Sequence, residues 1–306
     1  MNIQTKLAIT AILIVIPLSS IAVYGTNFEQ DFSPNSNSKL QAMTSFYVLQ
    51  EFAENIGRDK VDVTLLVPEG VEPHDWEPTI KDVQKMQAAD LIIINGIGFE
   101  NWVHKLDKMN NHITIVDTSN GILIKLFDED LEHGDEHHDS DDPHIWLNPV
   151  YAKIQVQNIA MAFSNLDNQN QKFYQLNANQ YISELESLDS KIRNELKSCN
   201  SDFIAFHDAF SYFADEYGLT QHTITSSNIS HGEVTAKTLQ EVISTAKKFN
   251  IKVIFSEKNI DSKTTNIIAN EIGGKVLVLS PLEVFSGDSY ISAMTQNLEN
   301  LKEALC

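Results

Sequence analysis

The sequence predicts an α/β protein with two parallel-sheet lobes that are joined by a single long rigid helix. Short, wholly apolar runs such as Leu91–Ile94 are typical of strands covered on both faces, and they alternate with segments of helical spacing. Residues 167–198 contain no proline or glycine and carry the apolar stripe of one amphipathic helix, which predicts the connection. The 306 residues, of which 42% are hydrophobic, suffice for two cores.

The N-terminal segment predicts an exported protein. Lys6 is followed by an apolar run close to the length that spans a bilayer, so we expect residues 1–24 to form a signal peptide or an N-terminal membrane anchor. No cysteine lies near the end of this run, which excludes an acylated N-terminal cysteine as the anchor. Residues 25–39 are expected to be a polar linker. We therefore expect an extracytoplasmic location.

The N-terminal lobe is predicted over residues 40–166 and the connecting helix over residues 167–198. In the lobe, strands are expected at 61–67, 91–94 and 113–117, and helices at 79–88 and 151–166. Thr79 is the expected N-cap of the first helix. The stripe of the connecting helix consists of Tyr181, Leu185, Leu188, Ile192 and Leu196.

The C-terminal lobe is predicted over residues 199–306. Its expected strands lie at 203–206, 253–255 and 276–279, and its expected helices at 209–217, 235–249, 261–272 and 290–304. Gly218 is the expected C-terminal cap of the first of these helices. Cys199 and Cys306 are the two cysteines of the chain. In an exported protein they either pair or remain two free thiols, and the sequence leaves both options open.

The charge balance excludes one class of partner. The chain has 42 acidic and 22 basic residues, a formal net charge of −20, whereas nucleic-acid binding requires a basic surface. We therefore expect no nucleic-acid partner. We also expect a monomer.

An acidic loop rich in histidine, residues 128–141, belongs to the N-terminal lobe. Its histidines, His133, His137 and His138, are interleaved with aspartate and glutamate. Imidazole and carboxylate are ligands that zinc accepts. Two interpretations remain open: an accessory metal-binding loop, or a solvated acidic loop whose histidines bind nothing.

Three histidines outside that loop lie where a site is expected. His74 follows the strand predicted at 61–67, and His207 directly follows the strand predicted at 203–206. Ligands of open α/β sheets collect beyond the carboxyl ends of strands. His144 lies next to Pro143 in a rigid, apolar stretch. A single histidine in such a position is more often a packing residue, but three of them together favour a metal site.

Several motifs resemble those of one protein family. They are VEPHDWEPT at 71–79, ADL at 89–91 with NG at 95–96, ENW at 100–102, DPHIWL at 142–147, and HDAFSYF at 207–213 with YGL at 217–219. In this order, from about residue 40 to the C-terminus, they are similar to the zinc/manganese group of solute-binding proteins of ABC transporters. The resemblance implies a metal ion that is bound in the cleft between two α/β lobes and delivered to an ABC permease in the membrane.

The resemblance also implies a ligand set. The family has histidines at the positions that match His74, His144 and His207. Members with histidine at the third position tend to bind zinc, whereas manganese-type members often have a carboxylate there. Imidazole nitrogens also suit zinc better than manganese. Zn²⁺ is therefore the expected ion, and Mn²⁺ is the alternative.

The fourth ligand is where the chain departs from the family. The family often has an aspartate after the last strand, but Ser280 occupies that place here, and a neutral hydroxyl is a poor zinc ligand. Glu257 is our candidate, with a water molecule or a histidine from the 128–141 loop as alternatives. Glu283 and His231 are weaker options.

The expected function is that of an extracytoplasmic high-affinity zinc receptor of an ABC importer, and not an enzyme. One alternative is a secreted zinc-dependent hydrolase or lyase that uses the three histidines and an activated water. The sequence contains neither a His-Glu-x-x-His run nor a Gly-x-Ser-x-Gly nucleophile motif to support it. The other alternative is a surface metal buffer or adhesin.

Overall fold

Two parallel β-sheets, one in each lobe, organise the part of the chain that the structure describes. The computed structural model describes residues 39–107, 114–124, 141–225, 234–258, 262–285 and 287–306. The two lobes and the helix between them agree with the fold class predicted from the sequence.

The first sheet has four strands: β1 (Leu40–Thr44), β2 (Val61–Leu65), β3 (Leu91–Ile94) and β4 (Thr114–Asp117). Their order is β2-β1-β3-β4, and all neighbours pair in parallel. The central strand β3 is buried at every residue, as expected of a strand that is covered on both faces. The helices of this lobe are α1 (Tyr47–Gly57), α2 (Ile80–Met86), α3 (Val103–Asp107) and α4 (Pro149–Leu166).

A single helix, α5 (Gln171–Leu196), connects the two lobes. Its 26 residues span about 39 Å at 1.5 Å per residue. The helix packs along α1 and α4 of the first lobe and also contacts helices of the second. The predicted apolar stripe is buried at all five positions, Tyr181, Leu185, Leu188, Ile192 and Leu196. Hydrophobic burial along this stripe therefore holds the connecting helix against both lobes.

The second sheet repeats the arrangement of the first. Its strands are β5 (Asp202–Ala205), β6 (Thr220–Thr223), β7 (Val253–Ser256) and β8 (Lys275–Val278), in the order β6-β5-β7-β8 and again all parallel. Its helices are α6 (Ser211–Tyr217), α7 (Ala236–Lys248), α8 (Lys263–Ile272) and α9 (Tyr290–Leu305).

Local signals in the sequence set several helix ends. Thr79 caps α2 in a capping box with Asp82, and Gly218 ends α6 in the left-handed conformation with φ 69°. The sequence prediction lacks helices α1 and α3, the inner strand β1 and the edge strand β6. The residues of β6, Thr-Gln-His-Thr, are polar and at least partly exposed, so they give no apolar run.

The two lobes share a hydrophobic core. The largest cluster of buried side chains contains Ala42 of β1 and Phe255 of β7, and Trp146 and Leu282 between them. Tyr290, at the start of α9, donates from its hydroxyl to the carbonyl oxygen of Trp146 at 2.7 Å. These contacts tie the two lobes together.

Cys199 and Cys306 form a disulfide, which resolves the pairing that the sequence leaves open. The bond joins the segment after α5 to the C-terminus. Among the described residues, the structure contains no helix with the length and apolar composition needed to cross a membrane. The apolar run predicted over residues 1–24 lies outside the described residues.

Candidate metal centre

Three of the four side chains at the centre lie beyond the carboxyl ends of parallel strands. His74 lies in a 3-10 turn, Pro73–Asp75, that follows β2. His207 follows β5, and Glu283 follows β8. Parallel strands bring their carboxyl ends to one edge of a sheet. The topology therefore places His74 at the carboxyl edge of the first sheet, and His207 and Glu283 at the carboxyl edge of the second.

The fourth side chain, His144, is held in place by hydrogen bonds to the end of a strand. Asn95, directly after β3, donates from Nδ2 to the carbonyl oxygen of Pro143 at 2.8 Å. The buried carboxylate of Glu100 accepts from the backbone N–H of Asn95 at 2.7 Å. The next backbone N–H, that of Gly96, donates to Glu100 at 3.1 Å. This buried network fixes the residue that precedes His144 in the chain.

The Nε2 atoms of the three histidines converge on one oxygen of Glu283. The distance to Glu283 Oε1 is 3.3 Å from His74, 3.0 Å from His144 and 3.4 Å from His207. The potential ligand atoms of His74, His144 and Glu283 all lie within 4.8 Å of one another. Nε2 of His207 is buried and has no hydrogen-bond partner among the described residues. A buried nitrogen of this kind is suited to a metal ion as its partner.

Two further carboxylates orient the rings of His144 and His207. Asp142 Oδ1 lies 2.7 Å from Nδ1 of His144, and Glu257 Oε1 lies 2.6 Å from Nδ1 of His207. Because a carboxylate accepts hydrogen bonds, each Nδ1 carries the hydrogen and each Nε2 faces the cluster. Carboxylates in this position fix the tautomer and ring orientation of metal-binding histidines.

Asp142 also connects the two lobes. Its second oxygen accepts a hydrogen bond from the hydroxyl of Ser211, at the start of α6. Its carbonyl oxygen accepts from the hydroxyl of Tyr212 at 2.8 Å. The orientation of His144 therefore depends on contacts from the second lobe as well as the first.

Opposite charges in the cluster partly offset one another. Burial alone would raise the pKa of Glu283, but the charge of His207 and the hydrogen bond from His144 hold it well below its ordinary value. Burial alone would lower the pKa of His144, but contacts with Asp142 and Glu283 raise it to about 9. The pKa of His207 is raised well above its usual value, because the charge of Glu283 and the contact with Glu257 outweigh its burial. Without a metal ion, protons on these two histidines offset the negative carboxylates.

The charge of Glu283 affects the pKa of a fourth nearby carboxyl group, that of Glu72. Glu72 is nevertheless a weaker cation ligand than Glu283. Burial, followed by the negative charge of Glu283, raises the pKa of Glu72 to about 8. The group is therefore mostly protonated near neutral pH. One of its oxygens accepts from the backbone N–H of His74 at 3.5 Å.

His74 is the ligand candidate that solvent can reach. Its side chain is 22% exposed, whereas the side chains of His144, His207 and Glu283 are at most 2% exposed. The His74 ring packs edge-on against Phe99, with ring centroids 4.7 Å apart. Access to the cluster is therefore from the side of the Pro73–Asp75 turn.

The structure brings together His74, His144 and His207 from three separate motifs. It places the predicted fourth ligand, Glu257, against the outer nitrogen of His207, and it places Glu283 at the centre instead. The one sequence signal for Glu283 is that it is a carboxylate shortly after β8, three residues beyond Ser280. The remaining histidines of interest, His133, His137, His138 and His231, lie outside the described residues.

Three imidazole nitrogens and one carboxylate oxygen form a donor set that suits zinc. Ligand atoms about 2.0–2.1 Å from a tetrahedral zinc ion are roughly 3.3–3.4 Å from one another. The three nitrogen–oxygen distances here are 3.3, 3.0 and 3.4 Å. The spacing of the three nitrogens from Glu283 Oε1 is therefore close to that in a four-coordinate zinc site, while the group of ligand atoms that lie within 4.8 Å of one another comprises His74, His144 and Glu283 without His207.

Comparison with known proteins identifies the family. A family model described as zinc-uptake complex component A, periplasmic (ZnuA), matches residues 43–304. The high-affinity zinc uptake system protein ZnuA of Bacillus subtilis (strain 168) is 39% identical over 305 residues, which cover 93% of this chain and 93% of that protein. The zinc-binding lipoprotein AdcA of Streptococcus pneumoniae (strain ATCC BAA-255 / R6) is 35% identical over 283 residues. That match covers 88% of this chain but only 56% of AdcA.

A solved structure extends the similarity to three dimensions. The Zn(II)-bound ZnuA-like domain of Streptococcus pneumoniae AdcA is 33% identical and superimposes with a TM-score of 0.75, covering 87% of this chain and 99% of that domain. The sequence match extends over both lobes and includes the segments that carry His74, His144, His207 and Glu283. The chain belongs to the family of periplasmic zinc-uptake complex component A proteins.

Proposed function

We propose that this protein is an extracytoplasmic receptor that binds Zn²⁺ as its cargo and delivers the ion to an ABC import permease. Its family is named for a component of a zinc-uptake complex, and the Bacillus subtilis relative is named a high-affinity zinc uptake system protein. These names support transport rather than the hydrolase or lyase alternative.

We propose that His74, His144, His207 and Glu283 are the zinc ligands. The observation that carries this proposal is the convergence of three buried or partly buried Nε2 atoms on a single oxygen of Glu283. With Glu283 as the fourth ligand, the protein supplies the whole shell, whereas a catalytic zinc keeps a position open for water. We assign Glu257 the supporting role of orienting His207.

We propose that each lobe contributes two ligands, with the N-terminal lobe at 40–166 and the C-terminal lobe at 199–306. The rigid connecting helix and the shared core oppose a wide hinge motion. Local movement of the Pro73–Asp75 turn is a shorter route, because His74 is the ligand with the largest exposure. Release of the ion to the permease would then begin at His74.

Other parts of the chain support the same role. We propose that residues 1–24 direct export or anchor the protein to the membrane and that residues 25–39 are a linker. We propose that the 128–141 loop is an accessory site that holds zinc weakly, because flexible ligands lose conformational entropy on binding. The protein would act as a monomer next to the permease.

Metal titration tests this proposal. The metal-free protein should bind one Zn²⁺ tightly in competition with a chromophoric chelator, and it should bind Mn²⁺ far more weakly. His207→Ala should weaken the tight zinc site by more than tenfold. His222→Ala is the matched control, because His222 pairs with Asp202 on the edge of the second sheet, and it should leave zinc binding unchanged. Tight manganese binding with zinc excluded, or equal effects of the two substitutions, would contradict the proposal.

A further inference from the structure

The turn that presents Glu283 has an unusual backbone. Leu282, the residue directly before Glu283, has a φ of 57° in the left-handed region. Bulky side chains rarely adopt this conformation, and it persists only where surrounding contacts impose it. The Leu282 side chain is fully buried, so packing holds the residue in place. The direction of the Glu283 side chain therefore depends on a backbone that the chain would not adopt unaided.

Asn297 of α9 forms two hydrogen bonds with Ser280, the first residue of the turn at 280–283. Its Oδ1 accepts from the backbone N–H of Ser280 at 2.8 Å, and its Nδ2 donates to the carbonyl oxygen of Ser280 at 2.7 Å. The Asn297 side chain is buried, at 2% exposure, and lies on a long helix. A single amide group thus satisfies both backbone groups of Ser280 and ties the turn to a rigid element.

Two more contacts hold the same turn. The hydroxyl of Ser280 accepts from the backbone N–H of Leu282 at 3.3 Å. The indole of Trp146, in the segment that carries His144, donates to the carbonyl oxygen of Pro281 at 2.8 Å. Ser280, which occupies the place of the family's aspartate, therefore stabilises the turn that carries the carboxylate three residues later.

We propose that Asn297 is a positioning residue for the metal site, acting through the 280–283 turn on Glu283. The inference rests on the proposed function, because it takes Glu283 to be the fourth zinc ligand. Metal ligands must be held within about 0.5 Å of their working geometry. When Asn297 is lost, the turn relaxes from the left-handed conformation at Leu282 and the Glu283 carboxylate moves off the convergence point of the three histidines.

Two substitutions and one control test this role. Asn297→Leu removes both hydrogen bonds, and Asn297→Asp keeps the acceptor for the Ser280 N–H but opposes the Ser280 carbonyl oxygen with a carboxylate. Loss of a direct hydrogen-bond partner of a metal ligand typically weakens metal affinity about 10–100-fold. Asn297 bonds to Ser280 and not to Glu283 itself, so we expect a loss near the lower end of this range for both variants. Asn177→Leu is the control: Asn177 is also buried and donates to a backbone carbonyl, that of Ile56 at 2.9 Å, on the contact between α1 and α5.

The readouts separate positioning from general destabilisation. The visible absorption of bound Co²⁺ reports coordination number and geometry. The spectrum should change in both Asn297 variants and match that of the wild type in Asn177→Leu. This should hold even if Asn177→Leu lowers the melting temperature as much as the Asn297 variants do. If Asn297→Leu fails to fold, Asn297→Asp provides the same comparison. Wild-type zinc affinity and an unaltered Co²⁺ spectrum in a folded Asn297 variant would overturn the proposal.

A double-mutant cycle with Glu283→Gln shows whether Asn297 acts through Glu283. If it does, Asn297→Leu should weaken zinc binding in the wild-type background and have little further effect in the Glu283→Gln background. Equal losses in both backgrounds would refute the positioning role while leaving Glu283 as a ligand. Unchanged zinc affinity in Glu283→Gln alone would instead refute the proposed ligand set.

Discussion

Replacing Glu283 by glutamine distinguishes a ligand from a supporting residue. The substitution keeps the size of the side chain but removes the negative charge on which three Nε2 atoms converge. Loss of an outer carboxylate costs about 10–100-fold in metal affinity, so loss of the anionic ligand itself should cost more than about 100-fold. Glu257→Gln is the matched variant, because Glu257 contacts only the outer Nδ1 among the ring nitrogens of His207.

The assay is competition for zinc against a chelator of known affinity, with the wild type and both variants at one pH. We expect Glu283→Gln to be weaker than Glu257→Gln by roughly tenfold or more, with Glu257→Gln in the 10–100-fold range below wild type. The metal-free Glu283→Gln protein should also lose stability where the histidines are protonated, because His144 and His207 each keep only one of their two carboxylate partners, Asp142 and Glu257. If Glu257→Gln proves as damaging as Glu283→Gln, the assignment of Glu283 as the fourth ligand is refuted.

Three further predictions concern other parts of the molecule. The disulfide closes a segment with a sequence separation of 107, so replacing both cysteines by serine should lower the free energy of unfolding by about 5 kcal/mol in the chain-entropy model; a loss below about 1 kcal/mol in denaturant titration would contradict this. The pKa of His144 is about 9 in the metal-free fold and about 6.5 for an ordinary histidine. The interactions that raise it stabilise the fold below pH 6.5, and this contribution is lost as the pH rises toward 9. Because zinc requires neutral imidazole, zinc affinity should rise over the same pH range. A zinc affinity that does not change between pH 6.5 and 9 would contradict the role of His144 as a zinc ligand. Deleting residues 128–140 should leave the tight zinc site within about threefold of wild type, since we place the accessory loop outside it; complete loss of tight binding in calorimetry would contradict that division.

Six of the eight strands and the connecting helix are predictable because local patterns determine them, whereas β1 and β6 are not predicted. Leu91–Ile94 is wholly apolar and becomes the buried central strand β3. The stripe of α5 follows helical spacing without interruption, and its members are buried. The edge strand β6 is unpredictable for the converse reason, since its polar residues pair with β5 through the backbone and leave no hydrophobic signature.

The histidines of the centre are easier to find than its carboxylate. His74 and His144 lie in motifs with proline and tryptophan, and His207 directly follows an apolar run. Glu283 has no such setting, and its direction is set by the left-handed backbone of Leu282, which a leucine in a sequence does not suggest. Glu257 and Glu283 both follow strands of the second sheet. The two carboxylates are distinguished by their contacts in the structure: Glu283 lies against Nε2 of all three histidines, whereas Glu257 lies against Nδ1 of His207.

X-ray absorption at the zinc edge, with one equivalent of zinc bound to the protein, tests the central claim most directly. Four nitrogen or oxygen ligands at about 2.0–2.1 Å, three of them imidazoles, are expected for the site formed by His74, His144, His207 and Glu283. The Glu283→Gln protein should give a different spectrum. Fewer than three imidazoles, six-coordinate zinc, or identical spectra for the wild type and Glu283→Gln would contradict the account.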